Sequence, residues 1–192
     1  MIHAGDTIEN PITGEQILFR TTSAETGGEA VVIECRVRPS GFVAKPHVHP
    51  VQTEQFEVLE GTLMFRLDGQ ELEAGPGDRV LVPPGRKHQF WNASADVARF
   101  RCEITPALTF EPLLETMFAL ACAGKTNGKG MPNPLRLAVI ARAHFDTVRL
   151  PFPPAWMQRV GLLLGAPLGR LVGYRATYEG PAEARRPDVA HA

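Results

Sequence analysis

Four residues in two short stretches carry the chemistry of this sequence. His47, His49 and Glu54 lie in GFVAKPHVHPVQTEQFEVLEG (Gly41 to Gly61), and His88 lies in GDRVLVPPGRKHQFWN (Gly77 to Asn92). Three imidazoles and a carboxylate suit one borderline divalent transition metal: Fe, Mn, Ni, Co or Zn. Four protein ligands in an octahedral sphere leave two positions for water, substrate or O₂, the arrangement of a catalytic centre. His47 and His49 are two apart, so on a β-strand both side chains leave the same face.

The elements around them read as strands. Val31, Ile33, Cys35 and Val37 alternate with mostly polar neighbours, as do Phe100, Cys102 and Ile104, which marks half-buried strands. Leu63, Phe65 and Leu67 form another apolar face, followed by the turn dipeptide Asp68-Gly69. Gly75-Pro76-Gly77 and Pro83-Pro84-Gly85 are further turns. Short strands with frequent turns predict a sandwich or barrel over residues 1–105. After Pro106 the apolar period becomes helical: Phe110, Leu113, Leu114, Met117, Phe118 and Ala121, with Thr109 as N-cap and Gly124 as stop. Asn133-Pro134 starts a second helix. The apolar stretch Ala155 to Tyr174 is interrupted by Pro167 and four glycines, which predicts two short helices. The chain therefore divides into a β-barrel (1–105), a helical extension (106–180) and a polar, flexible tail (181–192).

Composition narrows the function classes. A net charge of −1 and a pI near 6.6 give no whole-chain argument for nucleic acid or membrane. Charge is uneven, however. Residues 1–105 hold ten basic and fifteen acidic side chains, and residues 125–180 hold eight basic and two acidic. That fits docking of the helical part on the barrel or on a second subunit; an anionic ligand or a peripheral contact with an acidic membrane surface is the alternative. Three cysteines without CxxC spacing, Cys35, Cys102 and Cys122, point to a reducing, cytoplasmic setting. No apolar run is long enough to span a membrane, the N-terminus lacks the pattern of a signal peptide, and the scattered arginines form no DNA-recognition helix.

The two stretches resemble the paired motifs of the cupin superfamily. The first motif, G-x5-H-x-H-x4-E-x6-G, is matched by Gly41, His47, His49, Glu54 and Gly61. The second, G-x5-P-x-G-x2-H-x3-N, is matched by Gly77, Pro83, Gly85, His88 and Asn92. The resemblance implies a mainly β fold, a cupin-type jelly-roll β-barrel, here with a C-terminal α-helical extension. It implies His47, His49, Glu54 and His88 as metal ligands, and Glu54 as a catalytic base, as proposed for flavonol-cleaving members. The helical extension is not explained by it.

Strand alternation extends the reading to the pocket. Phe56 and Val58 share the face of Glu54, and Phe90 shares that of His88. With Leu63, Phe65, Phe100 and Cys102 they make an apolar, aromatic wall, with almost no ionisable group besides the ligands. Glu57 and Glu60 are read as solvated, and His144 as a surface or packing residue. A mononuclear metal enzyme acting on a small apolar or aromatic molecule, of dioxygenase or isomerase type, fits best. The alternative is a non-catalytic small-molecule-binding or sensing cupin with a structural or absent metal. The sugar-epimerase type needs a His–Tyr pair, and both tyrosines, Tyr174 and Tyr178, lie outside the barrel. The excess of apolar residues around Trp156, Met157 and Leu162 to Leu164 predicts that the extension covers the barrel mouth or builds a homodimer.

Overall fold

Ten strands and three helices follow one another along the described residues. The computed structural model describes residues 2–42 and 45–180. The strands are β1 (Thr7–Asn10), β2 (Glu15–Thr21), β3 (Val31–Val37), β4 (His47–Val48), β5 (Thr53–Glu60), β6 (Leu63–Leu67), β7 (Gln70–Ala74), β8 (Arg79–Val82), β9 (Lys87–Trp91) and β10 (Ala98–Thr105). The helices are α1 (Phe110–Cys122), α2 (Pro134–Ala143) and α3 (Ala155–Leu171). In β3 the side chains of Val31, Ile33, Cys35 and Val37 are buried while Arg36 is exposed, the period-two signature of a sheet with one face on a core. Asp68 and Gly69, at φ 49° and 93°, make the tight turn between β6 and β7.

All pairings are antiparallel and form two sheets. One has the order β1-β2-β3-β10-β5-β8, the other β4-β9-β6-β7. The core lies between their inner faces, where Phe19, Val37, Phe65, Phe100 and Ile104 are at most 2% exposed. The architecture is the mainly β arrangement expected from the sequence, with facing sheets that are not hydrogen-bonded into a closed barrel.

The helical region covers an edge strand of each sheet. Against β1, the Cys122 thiol at the end of α1 lies 3.2 Å from the Glu9 carbonyl. At the other end of α1, the Glu111 carboxylate accepts hydrogen bonds from the Ser23 backbone N–H and hydroxyl. Against β4, Val48 and Arg149 exchange two backbone hydrogen bonds, each 3.0 Å. Sheet edges left open invite pairing with other chains, and covering them removes that liability. Asn133 caps α2 by accepting from the Arg136 N–H at 3.0 Å, as its sequence predicts. Thr109 precedes α1 but makes no side-chain cap; its hydroxyl is engaged elsewhere.

The third apolar stretch departs from expectation. Instead of two short helices it is one helix of 17 residues, continuous through Pro167. The glycines that read as breakers are where α3 meets α2. A Cβ on Gly169 would lie 2.5 Å from the Leu135 carbonyl oxygen and 2.6 Å from Val139, and one on Gly165 would lie 3.1 Å from Ala138. Tertiary packing thus overrides weak intrinsic helix propensity. The tail expected from residue 181 lies outside the described residues. No described helix is long and apolar enough to cross a membrane.

Glycine-to-alanine changes in α3 should therefore have opposite signs. Gly161, where a Cβ would meet nothing within 4 Å, should gain up to about 1 kcal/mol from helix propensity. Gly169→Ala should lose about 1–3 kcal/mol by overpacking. Urea unfolding of both variants measures this, and a stabilised Gly169→Ala would contradict the packing described.

Candidate metal centre and cavity

Three strands and the turn between two of them bring the four candidate ligands together. β4 ends beside His49, β5 carries Glu54, and β9 carries His88. His47 and His88 are direct cross-strand partners, with ring centroids 4.2 Å apart. Glu54 approaches from the facing sheet. One ligand atom from each of His47, His49, Glu54 and His88 can be chosen so that all lie within 4.8 Å of one another, a spacing that fits a single ion.

Hydrogen bonds orient every imidazole. The His47 Nδ1 lies 2.9 Å from the Lys45 carbonyl oxygen, and the His88 Nδ1 lies 3.2 Å from that of Arg86. His49 Nδ1 faces two acceptors, the Thr147 carbonyl at 2.6 Å and Gln52 Oε1 at 2.9 Å. A carbonyl oxygen only accepts, so each Nδ1 carries the proton and each Nε2 presents a lone pair inward. The His49 Nε2, the His88 Nε2 and the Glu54 Oε2 are buried without a hydrogen-bond partner, although His88 Nε2 and Glu54 Oε2 are 2.8 Å apart. Buried polar atoms that lack a partner are costly, and a divalent cation would satisfy all three. The residues fit the group.

The charge states of Glu54 and His47 agree. Burial pushes the Glu54 carboxyl up, but His49, His88 and His47 outweigh it and hold it at about 2, as a carboxylate. Burial, joined by His88 and His49, holds His47 down at about 3, neutral. For His88, burial opposes the charge and the Glu54 carboxylate outweighs it, raising its affinity for a proton. An ionised carboxylate and a neutral imidazole are the forms that coordinate metal.

Two residues link the cluster to the helical region. Gln52, fully buried, receives the His49 bond on Oε1 and donates through Nε2 to the carbonyls of Pro106, at 2.8 Å, and Ala107, at 3.0 Å. Thr147 contributes its carbonyl to His49. Its hydroxyl lies 2.6 Å from that of Thr109, which lies 2.8 Å from His144 Nδ1.

The cluster opens on a cavity of about 560 Å³, walled by both sheets and roofed by all three helices. A shallower depression beside Phe42, Trp91 and Lys129 holds none of the four ligands.

Residues 33–104 match the cupin domain family. That stretch of the chain is thus similar to a cupin domain. Over 108 residues the chain is 32% identical to a quercetin 2,3-dioxygenase of Bacillus subtilis, covering 55% of this chain and 31% of that protein. It thus spans about a third of the length of that curated relative. Among solved structures, it is 29% identical to a sugar phosphate isomerase of the cupin superfamily from Silicibacter pomeroyi. That match covers 49% of this chain and 60% of the other, with a TM-score of 0.44. It is 24% identical to a polyketide cyclase from Streptomyces resistomycificus, covering 55% and 78%, with a TM-score of 0.46.

Of the wall residues expected from the sequence, Phe56, Phe90, Phe100 and Cys102 line the cavity. Val58, Leu63 and Phe65 point between the sheets but sit in the closed core, at most 1% exposed and away from the cavity. Phe65 backs Phe56 at a centroid distance of 5.2 Å, and Phe56 and Phe100 are 5.5 Å apart. The expected lack of other ionisable groups does not hold. Glu15, Lys45, His144 and Arg149 also line the cavity. Glu15 shares a strand face with Ile17 and Phe19, which is the signal that could have found it. His144 is a buried packing residue, 3% exposed. Glu57 pairs with Arg79 and Glu60 with Arg99 at the exposed surface.

Because Gln52 fixes His49 from behind, Gln52→Leu should weaken divalent-metal affinity about 10- to 100-fold while leaving all four ligands in place. Titration against a chromophoric chelator with Co or Zn measures it; unchanged affinity would show that Gln52 does not position the ligand.

Proposed function

We propose that this protein is a mononuclear metal enzyme of dioxygenase type, acting on a small, largely apolar or aromatic molecule that bears an enol or a ring hydroxyl. The observation that carries this reading is the placement of His47, His49 and Glu54, three of the four clustered residues, at the wall of a cavity also lined by Phe56, Phe90, Phe100 and Phe110. The 32% identity to a quercetin 2,3-dioxygenase over 108 residues supports the same substrate class. A divalent transition metal held by His47, His49, Glu54 and His88 would supply Lewis-acid polarisation of the substrate oxygen and an open position for O₂.

The chain's own residues supply the rest. The Phe56, Phe90 and Phe100 rings orient a planar substrate by offset and edge contacts and keep water out. The Glu54 carboxylate, held ionised by the imidazoles, accepts the proton of an enol or phenol that enters beside it. The same acid–base geometry without O₂ uptake would give an isomerase. The three free cysteines fit a reducing compartment, and a cytoplasmic location is part of this reading.

A homodimer belongs to the same proposal. Phe152, Trp156, Leu164 and Leu171 are 77%, 68%, 70% and 83% exposed along and beside α3. This apolar strip lies within the basic part of a chain whose strand region is acidic, so a second copy of the chain offers complementary charge.

Two measurements test the proposal. The metal-loaded protein should consume O₂ with flavonols or catechols, and Glu54→Gln should slow it about 10²- to 10⁴-fold. No uptake and no conversion of any enol in the panel would favour a binding or sensing role. Light scattering should show a dimer that a Leu164→Glu, Leu171→Glu double variant converts to monomer; a monomeric parent protein would remove the dimer from the reading.

A further inference from the structure

The cavity has a second polar end. Glu15 begins β2 and is 7% exposed, Thr13 precedes it at 1%, and Asn10 ends β1 at 3%; all three line the cavity. The Thr13 hydroxyl is buried with no partner at hydrogen-bonding geometry, although it lies close enough to Glu15 to pull its carboxyl down. Asn10 Oδ1 accepts from the backbone of Ile12 and Thr13 at 3.0 Å and 3.2 Å, which fixes the loop that carries Thr13.

This end is remote from the four ligands. Glu54 pairs with Ile104, and Ile104 with Val31, whereas Glu15 pairs with Val37. In the strand order of this sheet, β2 lies three strands from β5. The separation across the sheet is therefore about 14 Å, and along the strands about 20 Å before curvature shortens it. Ile17, Cys35, Phe100 and Cys102 form the floor between. A closed core would hold apolar residues at positions 13 and 15, because burying a carboxyl and an unpartnered hydroxyl costs free energy.

We infer that Glu15, Thr13 and Asn10 form a recognition subsite for a neutral hydrogen-bonding group, a hydroxyl or carbonyl, at the far end of an elongated ligand. Burial pushes the Glu15 carboxyl up to about 7, so near neutral pH a protonated form is available that both donates and accepts. A carboxylate or phosphate on the ligand would meet repulsion from any ionised Glu15, and a cation would lack a fixed anion. The cavity therefore selects molecules with two polar ends and an apolar or aromatic body between them, and a two- or three-carbon acid cannot reach both ends. The subsite rests on the reading of this cavity as a small-molecule site and is independent of metal chemistry.

Metal-depleted full-length protein tests it by fluorescence titration with 3-hydroxyflavone and 3,4′-dihydroxyflavone, which differ by one hydroxyl; without metal the flavone is free to seat that hydroxyl at the Glu15 end and is not required to span the cavity. The parent protein and Glu15→Gln should bind the second about tenfold more tightly, the worth of one added hydrogen bond. Glu15→Leu should lose the preference while its urea midpoint shows a folded chain. Equal affinities in the parent protein, or a preference that survives in Glu15→Leu, would overturn the subsite. If neither flavone binds, the substrate class under the proposed function fails, and phenol soaked into crystals decides the subsite separately. A phenol hydroxyl within hydrogen-bond distance of Glu15 or Thr13 upholds it, and phenol absent or turned away overturns it.

Discussion

The contact between the His49 Nδ1 and the Thr147 carbonyl, 2.6 Å long, joins the helical half of the chain to the ligand cluster, and the rest of the site depends on it. It fixes the tautomer of His49 and turns its Nε2 toward His88 and Glu54. One residue back, Val48 is locked to Arg149 by two backbone hydrogen bonds. The strand that carries His47 and ends beside His49 is only two residues long and gains its second neighbour from the segment after α2. A ligand on a free strand end would explore several rotamers, and the entropy of ordering it would weaken metal affinity. The helical region is therefore a structural part of the centre and not an appendage to the strands.

The same region gives the cavity its character. α1, α2 and α3 roof the space between the sheets, so His47, His49 and Glu54 face a partly covered, mainly apolar volume where electrostatic interactions are less screened than in water. Charges inside such a volume must be balanced. Glu54 is balanced by three imidazoles; Glu15 has no such partners among the causes that set its affinity for protons, and burial instead favours its neutral form. Two carboxyls in one cavity are thus shifted in opposite directions, one toward a form suited to a metal and the other toward a form suited to a neutral ligand group.

The ligand set was legible because its spacing is a property of strands: residues two apart share a face, and turn residues mark where the strands stop. Alternation told inside from outside for Phe56, Val58, Leu63, Phe65, Phe90, Phe100 and Cys102, and every one points inward. It does not tell depth along a strand, which separates Phe56 and Phe100 on the cavity wall from Val58 and Phe65 in the closed core. Glu15 escaped notice because Leu18 is buried as well as Ile17 and Phe19, which blurs the period of β2. The continuity of α3 was hidden for another reason. Gly165 and Gly169 read as breakers, but they are the contact surface on which α2 rests, and only tertiary packing reveals that.

One measurement tests most directly that the helical region and the strands together build a metal centre. Crystals of the full chain loaded with Zn or Co, with an anomalous difference map at the metal edge, should show one ion bonded to the Nε2 atoms of His47, His49 and His88 and to a Glu54 oxygen at about 2.0–2.2 Å. His49 Nδ1 should remain on the Thr147 carbonyl. An ion bound through Nδ1 of His49, an ion elsewhere, or no ion at this position would contradict the account.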